Sequence, residues 1–226
     1  PKPSSAASDV YKRQTKDDPY YISAVGALGE GSSNSLSKDT DLALAIGTKL
    51  ADFTTGSWAN FENPNFKLVS VNTARYDTTK HLATPVISDA KVGLQKISEA
   101  LGDWKAPDDW YKRAIKEKNE WDAYVEKQSG PTNQEEPSYA HAVGAVYRNS
   151  DPSDIVVTAA GGLVGEVVQV WKPKQLNTFE TEWGFSCMGY EISGALGIKM
   201  AKPDQDVVVF VGDGSYLLNN TDIYSS

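Results

Sequence analysis

Cysteine, histidine, basic charge and long apolar runs are all scarce in this chain, and each scarcity removes a class of function. The single cysteine, Cys187, excludes an internal disulfide, and with only two histidines no Cys/His cluster has zinc spacing. No apolar run approaches the roughly 20 residues needed to span a bilayer, so no membrane partner is expected. The start lacks the basic and then apolar regions of a signal peptide. Lys and Arg number 22 against 30 Asp and Glu, a formal net charge of -8. Nucleic-acid phosphates call for a basic face, so no nucleic-acid partner is expected either. What remains is a globular composition, 40% hydrophobic and 23% charged, in 226 residues. That is enough chain for one large domain or two ordinary ones. A cytoplasmic protein handling small molecules fits these limits.

Residues 1–20 are rich in Ser, Pro and charge and show no hydrophobic period. They read as a disordered or artefactual tail, Pro3 to Gln14 being similar to a translated sequencing adapter. Beyond them, short apolar runs alternate with helical stretches. Strands are expected at Asp41–Ile46, Lys67–Val71 and Pro85–Ile87, followed by a helix over Ala90–Leu101 with Asp89 as its cap. A Trp- and Lys-rich helix is expected over Asp108–Lys127, then a polar linker from Ser129 to Pro137. A second series follows: a helix capped by Ser138, a strand at Asp154–Thr158, a helix from Met188 to Met200 and a strand at Asp206–Val211. A further helix should start at about Asp222. Continuously apolar strands separated by helices indicate βαβ units and parallel sheets buried on both faces. The expected fold is α/β, with two Rossmann-like parallel-sheet domains. Their limits are 21–102 for a middle domain, 103–136 for a helical linker region and 137–226 for a carboxyl-terminal domain.

Three segments carry possible chemistry. Gly212-Asp213-Gly214-Ser215 ends an apolar strand, and ligands of open parallel sheets bind at the carboxyl ends of strands. A carboxylate there, with glycine on both sides, suits magnesium held together with phosphate. An isolated Asp-Gly reads more readily as a hairpin turn, but a uniformly apolar strand favours the buried parallel alternative. Ala160-Gly161-Gly162-Leu163 lies between a strand and a helix, where free N–H groups can meet a phosphate. It reads equally as a packing turn, and neither G-x-G-x-x-G nor a P-loop is present. In Ser186-Cys187-Met188-Gly189 the methionine alone reads as core filler. Gly189, Ser193, Gly194 and Gly197 are small residues at helical spacing, allowing close approach of a ligand or helix. Cys187 has no nearby His to activate it and reads as a small buried hydrophobe rather than a nucleophile. Asp41 and Asp89 read as turn and cap residues, His81 and His141 as structural. Trp104, Trp110 and Trp121 read as packing between domains.

Together these segments resemble the cofactor domain of thiamine-diphosphate enzymes of the acetolactate-synthase type. The likeness runs through Pro137–Ala140, Ala159–Leu163, Phe185-Ser-Cys-Met-Gly-Tyr-Glu-Ile192, Val211–Ser215 and Asp222–Ser226. Ala45 to Trp58 is similar to the family's middle domain, and the likeness covers about residues 22 to 226. The resemblance implies thiamine diphosphate and Mg2+ as cofactors. Asp213 would bind the metal, while Ala160, Gly161, Gly162 and Leu163 contact the diphosphate. Met188 would wedge the cofactor into its bent shape, and the Ser186 carbonyl would accept a hydrogen bond from its pyrimidine amino group. Gly212, Gly214 and Ser215 complete the implied cofactor-binding set. The residues around the Met-Gly point to a branch that hydrolyses a C–C bond of a small cyclic dione in inositol catabolism, releasing an open-chain deoxy-glucuronate. A homo-oligomer with the cofactor at a subunit interface is implied as well.

The family pattern also has an Asn metal ligand further along and an amino-terminal domain with an activating Glu. Asn219 and Asn220 come too early for that ligand, so the chain reads as a catalytically inactive fragment with no catalytic residue of its own. Two alternatives stay open. One is another thiamine-diphosphate activity, of the acetolactate-synthase or 2-oxoacid decarboxylase type. The other is a non-catalytic nucleotide-binding module in the middle region, for which an empty structural domain is the favoured reading.

Overall fold

A computed structural model describes residues 20–182 and 184–225. The expected tail lies outside the described residues except for Tyr20. By its internal contacts the described chain forms two compact units, 22–121 and 122–225, the second also taking in Tyr20 and Tyr21.

The unit 22–121 opens with α1 (Gly31–Asp39), then β1 (Leu42–Ile46), the short α2 (Asp52–Thr55) and β2 (Lys67–Asn72). After these come α3 (Arg75–Thr79), a 3-10 turn at Lys80–Leu82, β3 (Thr84–Ile87) and α4 (Ala90–Leu101). The strands pair parallel in the order β1-β2-β3, with Ala45 opposite Ser70 and Val71 opposite Val86. The core gathers Ala45, Leu68 and Ala83, with Leu50, Trp58 and Phe66 packed against them. Helix α4 begins where the sequence places it. The Asp89 carboxylate accepts the N–H groups of Lys91 and Val92 at 2.9 and 3.2 Å, filling donors that the first turn leaves open. Asp41 contributes a backbone rather than a side-chain bond, its carbonyl accepting the Lys67 N–H at 2.8 Å. Trp121 packs against Gly31, where any side chain larger than hydrogen would strike the indole at 2.6 Å.

Helix α5 (Asp108–Ser129) runs across the division between the units. The second unit continues with α6 (Tyr139–Asn149), β4 (Ile155–Thr158), α7 (Gly162–Val170), β5 (Phe179–Thr181), α8 (Tyr190–Ala201), β6 (Val207–Val209) and α9 (Asp213–Asn219). A 3-10 turn at Asn220–Ser225 closes it. Ser138 and His141 cap α6 reciprocally: the Ser138 hydroxyl accepts the His141 N–H, and the His141 ring accepts the Ser138 N–H. The sheet order is β5-β4-β6, all parallel. The β-branched run of β4 is wholly buried, as are Val164, Val167, Val168 and Phe179 of the same unit. Burial of this kind is the main stabilising term, about 25 cal/mol per Å² of apolar surface.

Four expectations need correction. Burial on both faces holds for β4 but not for β1, β3 or β6, whose residues are largely half-buried or exposed. The helix expected from Met188 starts at Tyr190, because Gly189 sits in the left-handed region at φ 92° and forms a turn. The helix expected from about Asp222 is part of an earlier helical stretch: a 3-10 helix, Asn220–Ser225, follows directly on α9, which begins at Asp213. The small residues of α8 do not all serve close approach: a Cβ added at Gly194 would meet the Tyr190 ring, whereas one added at Gly197 would meet no atom within 4 Å. Among the described residues, no helix is long and apolar enough to cross a membrane.

Candidate functional site

The winding of the second sheet reverses at β4: the chain goes outward to β5, then returns past β4 to β6. Crevices at the carboxyl ends of strands beside such a reversal are where open α/β sheets take ligands. Val157 pairs with Val209, and the Phe210 N–H donates to the Val157 carbonyl at 2.9 Å. The two strands therefore stay in register up to their ends, and the loops they release emerge side by side. One loop is Ala159 to Gly162 and the other is Val211 to Asp213.

In the first loop Ala159 and Ala160 are buried, and Gly161 caps α7 at φ 81° and ψ -173°. That conformation is essentially restricted to glycine. A Cβ added at Gly161 or Gly162 would meet no atom within 4 Å. The backbone is thus bare, and the open N–H groups of α7 adjoin it. In the second loop Asp213 is exposed at the first turn of α9, its Oδ1 accepting the Gly214 N–H at 2.8 Å. Ser215 is buried at 3% exposure, and Leu163 is half-buried within α7.

The segment 184–189 reaches both loops. The Ser186 hydroxyl donates to the Ala159 carbonyl at 3.2 Å. Met188 is not core filler, being 52% exposed, and its Cε lies 2.8 Å from where a Cβ on Gly214 would stand. Cys187 is exposed rather than a buried hydrophobe. It belongs to a loop ordered by a carboxylate: Glu182 accepts the N–H groups of Phe185 at 2.9 Å and Cys187 at 3.0 Å. Partial burial pushes the Glu182 carboxyl up. The hydrogen bonds from the backbone of Cys187, Phe185 and Gly184 and from the Cys187 side chain outweigh it and hold the group below the usual carboxylate range. At the other end Asn219 donates to the Gly189 carbonyl at 3.2 Å.

Two carboxylates that sequence reasoning assigned no role, Glu182 and Glu191, thus organise the segment. Glu191 is fully buried and is the lone acid between Trp183 and Pro203, a signal visible in the sequence. Among the described residues no group of three or more His, Cys, Asp or Glu is placed to hold a metal. Asp213 belongs to no such group, and a single carboxylate suits magnesium only in company with phosphate oxygens and water. A cavity of about 980 Å³ lies along the exposed side of β6, lined by Val146, Ile192, Leu196, Val207 and Ile223. It includes none of the ten candidate residues.

Residues 159–225 match the family described as thiamine pyrophosphate enzyme, C-terminal TPP binding domain. Residues 13–97 match the thiamine pyrophosphate enzyme central domain, a match that begins inside the stretch read as a tail. The chain belongs to the thiamine pyrophosphate enzymes, and all ten candidate residues fall within its cofactor-binding domain. Among curated proteins it is similar to 3D-(3,5/4)-trihydroxycyclohexane-1,2-dione hydrolases. It is 35% identical to that of Clostridium tetani over 91% of this chain, and 33% identical to that of Geobacillus thermodenitrificans over 92%. The relative from Lacticaseibacillus casei is 31% identical over 94%. The chain spans 36% of the length of each of these relatives.

Proposed function

We propose that this chain supplies the diphosphate and metal sites of a thiamine-diphosphate-dependent hydrolase that opens a trihydroxycyclohexanedione ring by C–C cleavage. The observation that carries this reading is the pairing of loops at one sheet edge. A bare glycine turn at the end of β4 lies beside Gly212-Asp213-Gly214 at the end of β6, and Met188 rests against Gly214.

The residues present fit the cofactor. Gly161 and Gly162 leave open backbone where a diphosphate needs close approach, and α7 adds the positive end of a helix. Asp213 would bind Mg2+ through its carboxylate while phosphate oxygens complete the shell. Thiamine diphosphate, when bound, would supply a nucleophilic thiazolium carbon to add to a carbonyl and a cationic ring to take up the electron pair released on C–C cleavage. The chain's own residues bind and orient. Ala160 to Leu163 would hold the diphosphate, with Gly212, Gly214 and Ser215 shaping the metal loop. The Ser186 carbonyl would fix the pyrimidine amino group, and exposed Met188 would give the apolar surface against which the cofactor bends.

The substrate reading rests on the similar proteins, which are trihydroxycyclohexanedione hydrolases. Magnesium, a homo-oligomer with the cofactor at a subunit interface and a cytoplasmic setting belong to the same proposal. So do the domain limits 21–102, 103–136 and 137–226. Family matches at 13–97 and 159–225 fall on either side of the proposed helical region 103–136.

Titration calorimetry of thiamine diphosphate into the chain, with and without Mg2+, tests the reading. Metal-dependent binding that Asp213→Ala weakens by about tenfold or more, the cost of one charge-assisted ligand, is the expected result. Equal affinity for wild type and variant removes Asp213 from the site.

A further inference from the structure

Glu191 stands in the first turn of α8 with no exposed surface. Its Oε1 accepts the Ala160 N–H at 3.2 Å, and its Oε2 accepts the Gly189 N–H at 3.0 Å. Ala160 opens the bare glycine loop after β4, and Gly189 closes the turn that carries Met188. One carboxylate therefore joins two stretches of backbone, one of them 31 residues before it in the chain. Burying a carboxylate is costly unless donors meet its oxygens, and here both donors are backbone groups of cofactor-facing loops. The amino end of α8 also favours negative charge at this position.

We propose that Glu191 is a positioning residue, a two-oxygen clamp that holds the diphosphate loop against the Met188 turn before the cofactor arrives. This rests on the proposed function. Only a carboxylate of this length serves both donors. A glutamine, turned either way, presents its NH2 group to one of the two N–H groups. An aspartate is one methylene short. An apolar side chain of similar volume would fill the space and leave both N–H groups buried without an acceptor.

The test compares wild type with Glu191→Gln by titration calorimetry of thiamine diphosphate in Mg2+, by thermal unfolding, and by amide hydrogen exchange. The expected result is cofactor affinity about tenfold weaker in the variant, since one charge-assisted hydrogen bond is lost. In ligand-free wild type the Ala160 and Gly189 amides should both be protected. A variant that melts lower but binds as tightly as wild type shows a merely structural role and overturns the inference. If the variant does not fold, exchange in the wild type decides. Ala160 or Gly189 amides exchanging at the rate of open loop amides would also overturn it. Wild type that fails to bind Mg2+ and thiamine diphosphate overturns the proposed function and this inference with it. Wild type that binds alongside an equally tight variant overturns the inference alone.

Discussion

Replacing Gly161 by alanine perturbs the glycine loop without touching a neighbour. The residue lies at φ 81° and ψ -173°, and a Cβ built there meets no atom within 4 Å. Steric clash is therefore absent, and the whole cost is conformational. A non-glycine residue held in that corner of backbone space costs about 1–3 kcal/mol. For a unit of this size each kcal/mol lowers the melting temperature by roughly 4–8 °C, so a fall of roughly 5–20 °C is expected. The control is Gly162→Ala. Gly162 is the first residue of α7, has no positive φ, and is equally uncrowded. Alanine is favoured over glycine in a helix by about 0.5–1 kcal/mol, so this variant should melt at the wild-type temperature or slightly above. Thermal unfolding followed by circular dichroism, run on the three chains at neutral pH, separates the cases. Equal shifts for the two substitutions, or none for Gly161→Ala, would refute the assignment of a glycine-only backbone to position 161.

Asp89→Ala should destabilise the unit 22–121 by about 1 kcal/mol in denaturant melts, because two first-turn donors lose their acceptor, and Asp89→Asn should recover most of the loss. Glu182 gives a pH dependence of definite sign. Its native pKa is lowered from the ordinary 4.5, so its contribution is complete above that value and is lost as pH falls through the lower native one. The melting-temperature difference between wild type and Glu182→Gln should thus be constant near neutrality and shrink in acid. A difference unchanged across the acid range would show that the carboxylate is not its source.

The elements that were legible in the sequence are those whose cause is local. Asp89 and Ser138 announce their helices because a cap bonds within three residues of itself, and Ile155-Val-Val-Thr158 announces β4 because a buried central strand needs no polar face. Strand β5 was not legible. Phe179-Glu180-Thr181 has neither an apolar run nor length, and it becomes a strand by pairing with Val156 to Thr158. The start of α8 was misplaced because small residues allow a helix but do not decide it, and the left-handed Gly189 does. Glu191 was passed over for a related reason. Its partners are backbone N–H groups, which every residue but proline carries, so no spacing of side chains reveals the bond.

The hairpin reading of Asp213-Gly214 fails on topology, and its failure sharpens what Asp213 can do. A hairpin needs an antiparallel strand after the turn, whereas among the described residues β6 pairs only with the parallel β4 and the chain turns into α9. Asp213 is then an exposed carboxylate at a strand end, and it belongs to no group of three or more His, Cys, Asp or Glu placed to hold a metal among the described residues. Magnesium gives up its water reluctantly, so one carboxylate holds it weakly. A diphosphate against Gly161 and Gly162 would bring the further oxygens, and the metal would in turn offset the phosphate charge. Binding of each must then favour the other, and by linkage the two factors are equal. The calorimetric pair measures this directly: Mg2+ should raise diphosphate affinity as much as the diphosphate raises that of Mg2+, and Asp213→Ala should remove most of the coupling. Diphosphate affinity that is the same with and without metal would show that Asp213 does not serve a shared metal-diphosphate site.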